Sequence, residues 1–510
     1  MIGGAVVVIL GLCGCDPLPG GPLAAPVTPH RPPSSAPLPS ASSATTTIPA
    51  ALAPPAPVQW AACGGGLECG SVTVPLNYAD TQGTTIQIAL VRHPAENPSQ
   101  RIGSLVINPG GPGVSGVDDM DNELGSLSTG LLNDFDIVTY DPRGVQRSDP
   151  VTCAETPASP SSPPPVSPAP DPVPQTPASE QTLIGAFRSY AAACEKASGA
   201  LLRFVGTVES AQDLDRIRAA IGDPTLTFMG QSYGTLLGAT YAEMFPTHVR
   251  AMVLDSAIDP TLSSNQMVVG QAVGFEQSLD DFFTWCAASS CPWRPSGDPT
   301  PAVLTLINDS LEQPIPAGAG HSIGPGEIYD ALLAGLYARS DWPTLADALG
   351  EAASGNGAGI VSMSDHYDSN GSSNGADAGA AISCLDHPVS RTLSTYPKLA
   401  AADGALAPVF GPLLAWGQAG CAVWPVPATR TPGPIRATGA PPILVVGTTG
   451  DPATPYAWAV SLAKQLQRGV LLTRDGVDHV AYFYSSCVRG IVQSYLVAGT
   501  VPAPGTTCTS

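Results

Sequence analysis

Short apolar runs alternate with amphipathic segments in two separate parts of the chain. The apolar runs have the length of buried strands and are residues 103–107, 135–140, 226–229, 249–254, 442–446 and 470–473. Helical patterns follow at residues 210–220, with Ser210 as the expected N-cap, and at 456–466 and 487–497. Strands that alternate with helices in this way predict an α/β fold built on a mainly parallel, doubly wound sheet.

Two regions depart from this alternation. Residues 71–76 and 85–91 alternate apolar and polar positions, which predicts a hairpin of half-exposed strands. From residue 261 to residue 437 the apolar runs stop, and helical patterns occupy 271–286, 326–338 and 344–353. We therefore predict a sheet domain of residues 59–260 and 438–510, with a mostly helical cap, residues 261–437, inserted in it.

The first 58 residues have the composition of an export signal and a tether. Residues 2–15 form an uncharged apolar run that is too short to span a bilayer and is typical of a signal peptide. The run ends in Leu12-Cys13-Gly14-Cys15, which resembles a bacterial lipobox with Cys15 as the acylated residue. The alternative is a plain secreted protein in which Cys15 has no such role. Residues 16–58 are rich in Pro, Ala, Ser and Thr and predict a disordered tether; residues 156–180 predict a second, exposed Pro-rich insertion.

The charge of the chain limits its partners. It has 21 Lys and Arg residues against 42 Asp and Glu residues, a formal net charge of −21. Nucleic acids and anionic membrane surfaces both require a basic face. We therefore expect no nucleic-acid partner, and membrane association only through a lipid anchor.

The cysteine count supports export. Of 12 cysteines, Cys13 and Cys15 belong to the leader, and the remaining ten form near neighbours along the chain. We predict five disulfides, which are typical of exported proteins: Cys63–Cys69, Cys153–Cys194, Cys286–Cys291, Cys384–Cys421 and Cys487–Cys508. The spacing fits no zinc site, and we expect neither a metal nor a cofactor.

The sequence Gly230-Gln231-Ser232-Tyr233-Gly234 lies between a predicted strand and a predicted helix. The G-x-S-x-G pattern in this context is typical of a nucleophile elbow, where a strained turn exposes the serine hydroxyl at the carboxyl edge of the sheet. A glycine-rich turn without a catalytic role is the alternative. We predict Ser232 as the nucleophile.

A serine nucleophile requires a base, and the base requires an acid that orients it. Of the seven histidines, His479 follows the last predicted strand, which is the position of the base in this type of sheet. Asp451 follows the preceding strand and is the expected acid. The competing acids are Asp255, which ends the strand after the elbow, and Asp475 and Asp478, which lie close to the histidine in sequence.

The tetrahedral intermediate requires two backbone donors for its oxyanion. We predict the amide of Tyr233, directly after the nucleophile, and the amide of Gly111 in the Asn108-Pro109-Gly110-Gly111-Pro112-Gly113 loop. Arg143 is interpreted as a structural ion-pair residue.

Six motifs in order along the chain carry a resemblance to a known family. NPGGPG, FDIVTYDPRGVQRSD, GQSYG, VLDSAIDP, GDPATP and DGVDH, which lie between about residues 61 and 508, resemble the exported actinobacterial peptidases of the tripeptidyl-aminopeptidase type within the α/β-hydrolase superfamily. The resemblance implies an exopeptidase that acts at peptide N-termini, with Ser232, Asp451 and His479 in the triad positions. The chain departs from the family in Ser256, where a glycine is usual, and in its Pro-rich insertion.

The sequence is consistent with three functions. The first is an aminopeptidase with a peptide substrate, whose ammonium group requires a carboxylate; the candidates in the cap are Glu276, Asp280, Asp281 and Glu327. The second is a carboxylesterase or lipase on the same triad, because a fold does not determine a substrate. The third is a non-catalytic surface lipoprotein that retains a hydrolase fold.

Overall fold

A computed structural model describes residues 53–153, 170–295, 297–318, 320–369 and 374–509. The expected signal peptide with Cys15, the tether up to residue 52, and residues 156–169 of the Pro-rich insertion lie outside these ranges.

One large sheet forms the centre of the described chain. Its strands are β1 (Ala61–Gly64), β2 (Leu67–Pro75), β3 (Thr85–His93), β4 (Gly103–Asn108), β5 (Phe135–Tyr140), β6 (Leu226–Gln231), β7 (Val249–Asp255), β10 (Ile443–Thr448), β11 (Gly469–Asp475) and β12 (Thr507–Thr509). β8 (Ile315–Gly318) and β9 (His321–Ile323) form a separate two-stranded sheet. The order in the large sheet is β1-β2-β3-β5-β4-β6-β7-β10-β11-β12. The strands from β5 onward in this order pair in parallel, and β1, β2 and β3 pair antiparallel at one edge.

Helices cover the sheet and form the segment between β7 and β10. Around the sheet lie α1 (Gly116–Ser126), α2 (Thr129–Asp134), α3 (Pro177–Ser198), α4 (Thr207–Ala220), α5 (Tyr233–Met244), α14 (Tyr456–Gln465), α15 (Ala481–Tyr484) and α16 (Ser486–Ala498). Between β7 and β10 lie α6 (Ser264–Ala288), α7 (Pro299–Glu312), α8 (Pro325–Leu336), α9 (Trp342–Ala353), α10 (Ala358–Ser369), α11 (Gly375–Asp386), α12 (Tyr396–Gly404) and α13 (Phe410–Ala422). We call residues 261–437 the cap segment.

The predicted fold class is confirmed. All six apolar runs are strands of the large sheet, and the predicted hairpin is the antiparallel pair β2–β3. The two faces of the sheet bury alternate residues of the same strand, as the period of two requires. In β6, Phe228 belongs to the apolar cluster that includes Leu214 of α4 and Leu237 of α5, whereas Met229 belongs to the opposite cluster, which includes Val492 of α16.

One predicted helix start was wrong. The helix that we expected to begin at Ser210 begins at Thr207, and Ser210 is buried inside it. The Asp386 carboxylate, 179 residues away, accepts a hydrogen bond from the Thr207 amide at 2.9 Å. A cap supplied by a distant part of the chain leaves no local signal, so the sequence pattern pointed to the nearest serine.

The two segments that we expected to be irregular, residues 16–58 and 156–180, both end within packed structure. Val58, the last residue of the expected tether, is buried and its amide donates to the Ala220 carbonyl at 3.0 Å. The last four residues of the expected 156–180 insertion form the start of α3, with Thr176 as its N-cap and Pro177 at the first helical position.

Five disulfide bonds join the cysteine pairs that the spacing predicts: Cys63–Cys69, Cys153–Cys194, Cys286–Cys291, Cys384–Cys421 and Cys487–Cys508. Within the described ranges, no helix combines the length and the apolar composition that crossing a membrane requires. The same residues hold no cluster of three or more His, Cys, Asp or Glu side chains suited to a metal ion.

Arg143 has the structural role that the sequence suggests. Its side chain is fully buried, and both oxygens of Asp213 accept from its guanidinium at 2.6 Å. The carbonyls of Pro75, Leu76 and Phe204 accept its remaining N–H groups at 2.7 to 3.1 Å. Arg143 therefore ties the hairpin and the approach to α4 together from inside the core.

Replacement of Arg143 by alanine should strongly destabilise the fold. The substitution leaves the Asp213 carboxylate buried without its counter-charge, which costs about 3–5 kcal/mol of unfolding free energy. Arg143→Lys should recover only part of this, because an ammonium group cannot donate to all five acceptors. Urea unfolding of the oxidised protein measures the effect, with the exposed Arg468→Ala as control. A loss of less than about 1 kcal/mol for Arg143→Ala, as for a surface pair, would contradict this role.

Glu123 of α1 is also a buried charged residue, and within the described part of the chain no cationic side chain forms an ion pair with it. Its side chain is fully buried, and Gln231 Nε2 donates to its Oε2 at a long 3.4 Å. Its Oε1 accepts no hydrogen bond from the described residues. Burial, together with the charge of Asp119, raises the pKa of Glu123 from 4.5 to about 8.

This raised pKa predicts a pH-dependent difference between the wild type and Glu123→Gln. The folded wild type binds a proton that the unfolded chain releases above pH 4.5, so its stability falls as pH rises from about 4.5 to 8. Glu123→Gln has no such proton and should gain stability relative to the wild type over that interval. Urea midpoints at pH 5 and pH 8.5 test this, with the exposed Glu312→Gln as control. A stability difference that stays constant with pH would refute it.

Candidate active site

Ser232 lies on a strained turn between β6 and α5. Its backbone has φ 54° and ψ −121°, in a region that non-glycine residues rarely occupy. A Cβ at Gly230 would lie 2.2 Å from the Gly234 carbonyl oxygen, and a Cβ at Gly234 would lie 2.6 Å from the Asn108 carbonyl oxygen. Both glycines are therefore required for the close approach of the helix to the strands, and the Ser232 side chain stays partly exposed at the carboxyl edge of the sheet.

Asp451 and His479 form a buried hydrogen-bonded pair. His479 Nδ1 lies 2.9 Å from Asp451 Oδ1 and 3.0 Å from Oδ2. Asp451 also accepts from the Ala453 amide at 3.0 Å and from the Thr454 amide at 2.9 Å, and the Thr454 hydroxyl donates to Oδ2 at 3.0 Å. Because an ionised carboxylate only accepts, Nδ1 carries a proton and the other ring nitrogen of the neutral imidazole can accept one.

Asp255 is close to this pair but binds other groups. Its carboxylate accepts from the amides of Ala481 at 3.1 Å and Tyr482 at 2.8 Å, at the start of α15. Burial, with the nearby charge of Asp451, raises the pKa of Asp255 to about 6. Its contacts fix the chain that follows His479, which is a structural role.

The other two competing acids also bind elsewhere. Asp478 accepts from the Arg339 amide at 2.8 Å and from the Arg474 guanidinium at 2.5 Å. Asp475 accepts from the Thr449 hydroxyl at 3.0 Å.

Ser232 is linked to the Asp451–His479 pair indirectly, through hydrogen bonds of Asp255. Its amide donates to the Asp255 carbonyl at 2.9 Å, and the Asp255 side chain holds the residues that follow His479. Within the described residues, the hydrogen bonds of the His479 ring go to Asp451 and Thr454 and do not include Ser232. Catalytic hydrogen bonds to a nucleophile are often long before substrate binds.

The loop after β4 packs against the elbow. A Cβ at Gly110 would lie 2.6 Å from the Gln231 carbonyl oxygen and 3.3 Å from the Tyr233 amide nitrogen, and Gly110 has φ +104°. The peptide that carries the Gly111 amide therefore starts beside the elbow. Tyr233 is the first residue of α5, so its amide lacks an intrahelical acceptor.

A buried polar network holds the Tyr233 side chain, and the sequence did not reveal it. The Tyr233 hydroxyl lies 2.7 Å from the Thr207 hydroxyl, which donates to Asp386 Oδ2 at 2.5 Å. Arg430 donates to the Asp386 carbonyl at 3.1 Å. Burial raises the pKa of Asp386. Asp386 and Arg430 come from the cap segment, and only the tertiary fold brings them to the elbow.

The cap segment touches the histidine directly. The His479 amide donates to the Tyr337 carbonyl at 2.9 Å, and the two rings meet edge to face with centroids 5.3 Å apart. From α6, Gln271 donates to the Ala453 carbonyl, two residues after Asp451, at 3.1 Å. His479 is 9 % exposed and Asp451 is 3 % exposed, so little of the pair is open to solvent.

Two of the four acids considered for an ammonium group have backbone partners. Glu276 accepts from the Val409 amide at 3.0 Å and the Phe410 amide at 3.3 Å, at the start of α13. Glu327 accepts from the Gly324 amide at 2.9 Å, at the start of α8. Each of these two carboxylates therefore acts as the N-terminal cap of a helix, as acids at helix N-termini commonly do.

Two family models match the chain. Residues 103–292 match the alpha/beta hydrolase fold, and residues 407–508 match the TAP-like protein model. Both matches cover strands of the large sheet and parts of the cap segment, and the second includes Asp451 and His479.

Three curated relatives match over most of their length. Serine protease Hip1 of Mycobacterium tuberculosis is 35 % identical over 491 residues, covering 89 % of this chain and 91 % of the relative. Tripeptidyl aminopeptidase of Streptomyces lividans is 32 % identical, covering 90 % and 88 %. Carboxylesterase B of Mycobacterium tuberculosis is 34 % identical, covering 86 % of each. With the fold and both family models, these similarities establish that the chain belongs to the tripeptidyl-aminopeptidase-like family of serine hydrolases in the α/β-hydrolase superfamily.

Proposed function

We propose that Ser232, His479 and Asp451 form the catalytic triad of an exported aminopeptidase. The observation that carries the proposal is the buried Asp451–His479 hydrogen bond at the sheet edge that also bears the strained Ser232 elbow. The acid orients the imidazole, and the elbow presents the hydroxyl, which is the division of roles that serine catalysis requires.

The mechanism follows from these roles. Ser232 Oγ attacks the scissile carbonyl carbon while His479 Nε2 takes the hydroxyl proton, and Asp451 stabilises the imidazolium that forms. The amides of Tyr233 and Gly111 donate to the oxyanion. His479 then gives the proton to the departing amine, the C–N bond breaks, and an acyl-enzyme on Ser232 remains. Water, deprotonated by His479, releases the carboxylic acid by the reverse sequence.

Two observations support a substrate that enters by one end. One relative is named a tripeptidyl aminopeptidase, and the cap segment leaves little of the acid–base pair exposed. A covered site admits a free chain end more easily than the middle of a folded protein. A free N-terminus is an ammonium group and requires a carboxylate partner. Asp280 and Asp281 remain as candidates, because Glu276 and Glu327 are already bonded to the amides at helix N-termini.

A carboxylesterase is the second candidate. The relative named carboxylesterase B is as similar to this chain as the relatives named as peptidases, and ester hydrolysis requires the same triad.

Export is part of the proposal: the five disulfides and the lipobox-like sequence around Cys15 support an envelope lipoprotein or a secreted protein.

Ser232 should be the residue that a fluorophosphonate probe labels. The wild type should label, Ser232→Ala should not, and His479→Ala or Asp451→Asn should slow labelling on the order of a thousandfold or more, because the base or its correct tautomer is lost. Intact-mass spectrometry of folded, oxidised protein measures the adduct, with the exposed Ser494→Ala as control. Failure of the wild type to label would favour the non-catalytic lipoprotein.

Blocking the substrate's amino group should abolish most peptidase activity. A tripeptidyl anilide with a free N-terminus should be cleaved at least about a hundredfold faster than its N-acetylated form, because a charge-assisted contact to the ammonium group is lost. Release of the aniline measures kcat/KM for both, and a p-nitrophenyl ester serves as control for an intact triad. Equal rates would end the exopeptidase proposal, and ester cleavage alone would select the carboxylesterase.

A further inference from the structure

Ser256 occupies a position whose backbone favours glycine. It follows β7 and Asp255, is fully buried, and has φ 57°. For a residue with a side chain, this left-handed conformation costs roughly 1 kcal/mol. Its amide donates to the Val446 carbonyl of β10 at 3.1 Å, so the neighbouring strand fixes the backbone. A serine at such a strained, buried position indicates that its hydroxyl has a function.

The hydroxyl lies between the acid and the loop that carries the base. Ser256 Oγ donates to Asp451 Oδ2 at 2.6 Å and accepts from the Val480 amide at 2.8 Å. Val480 follows His479 directly and also has a positive φ, 64°. One side chain therefore joins the acid to the backbone of the histidine loop, and both joined segments depend on it for a buried hydrogen bond.

We infer that Ser256 is a positioning residue, whose hydroxyl bridges Asp451 and the Val480 amide and so sets the geometry and the basicity of the Asp451–His479 pair. This inference rests on the proposed triad. It goes further because Ser256 lies outside the triad, and its hydroxyl is hydrogen-bonded to Asp451 and to the Val480 amide.

The direction of its electrostatic effect follows from the hydrogen bond. A hydroxyl that donates to Asp451 withdraws negative charge from the carboxylate, which then attracts a protonated imidazole less strongly. Removal of the hydroxyl should stabilise the imidazolium, the form that cannot act as a base. Among the described residues, the ionisable groups that interact electrostatically with Asp451 include Asp255, whose side chain faces α15, and Tyr337 from the cap segment. The Asp255 carboxylate is held by the Ala481 and Tyr482 amides, which do not involve the Ser256 hydroxyl, so this charge stays in place when that hydroxyl is removed.

The test compares Ser256→Gly and Ser256→Ala in the full, oxidised chain. Both variants lose the hydroxyl, but only glycine relieves the backbone, so Ser256→Gly should unfold at a higher temperature than Ser256→Ala. Despite this difference, both should show about a tenfold fall in kcat for a p-nitrophenyl ester with KM unchanged. In both variants, the low-pH limb of the plot of kcat/KM against pH should move about half a pH unit or more toward higher pH.

The matched control is Ala437→Gly. Ala437 is a buried residue at φ 46°, and its substitution relieves the same kind of backbone without removing a hydroxyl. It should raise the unfolding temperature and leave the pH profile unchanged. The inference is overturned if either Ser256 variant, folded by circular dichroism, keeps the wild-type low-pH limb, or if the rate falls only in proportion to lost folded protein. If wild-type Ser232 fails to label with a fluorophosphonate, the triad itself is wrong, and that outcome is separate from a failure of Ser256 alone.

Discussion

The hydrogen bond between Asp451 and His479 is the interaction on which the site depends, and much of the surrounding structure serves to hold its two ends. Asp451 follows β10 and receives two amides and a hydroxyl from the next three residues of its own loop. His479 follows β11 and is fixed by neighbours: the Tyr337 carbonyl holds its amide, and Asp255 and Ser256 hold the three residues after it. The pair is buried, and in a site of low polarity an oriented carboxylate acts more strongly on an imidazole than it would in water.

The cap segment is part of the site as well as a cover for it. It supplies Tyr337 to the histidine, Gln271 to the acid loop, and the Asp386–Thr207 network that ends at the Tyr233 hydroxyl. The three residues of the proposed triad and the proposed oxyanion donor Tyr233 lie outside the cap segment, next to strands of the large sheet. Their positions nevertheless depend on contacts from the cap segment, which lies between β7 and β10. A change in the cap segment can therefore shift these residues through the hydrogen bonds given above.

The sequence predicted the parts of this protein that rest on local pattern. Buried strands, the hairpin and the elbow carry short-range signals, and the cysteine pairs follow the order of the cysteines along the chain; the structure contains each of them. What it could not predict depends on residues far apart in the chain. The start of α4 at Thr207 is set by Asp386, and the link between Ser256 and Asp451 joins residues 195 positions apart. The unusual serine was visible in the sequence, but its partner was visible only in the fold.

The most direct measurement is a crystal structure of the oxidised protein after reaction with a fluorophosphonate, whose tetrahedral phosphorus mimics the intermediate. The account predicts a covalent bond from Ser232 Oγ to phosphorus, with the phosphoryl oxygen about 2.7–3.1 Å from the amides of Tyr233 and Gly111. It also predicts that His479 keeps its hydrogen bond to Asp451 while its other ring nitrogen faces the adduct. An adduct on another residue, or a His479 ring turned away from both Asp451 and the phosphorus, would contradict the account.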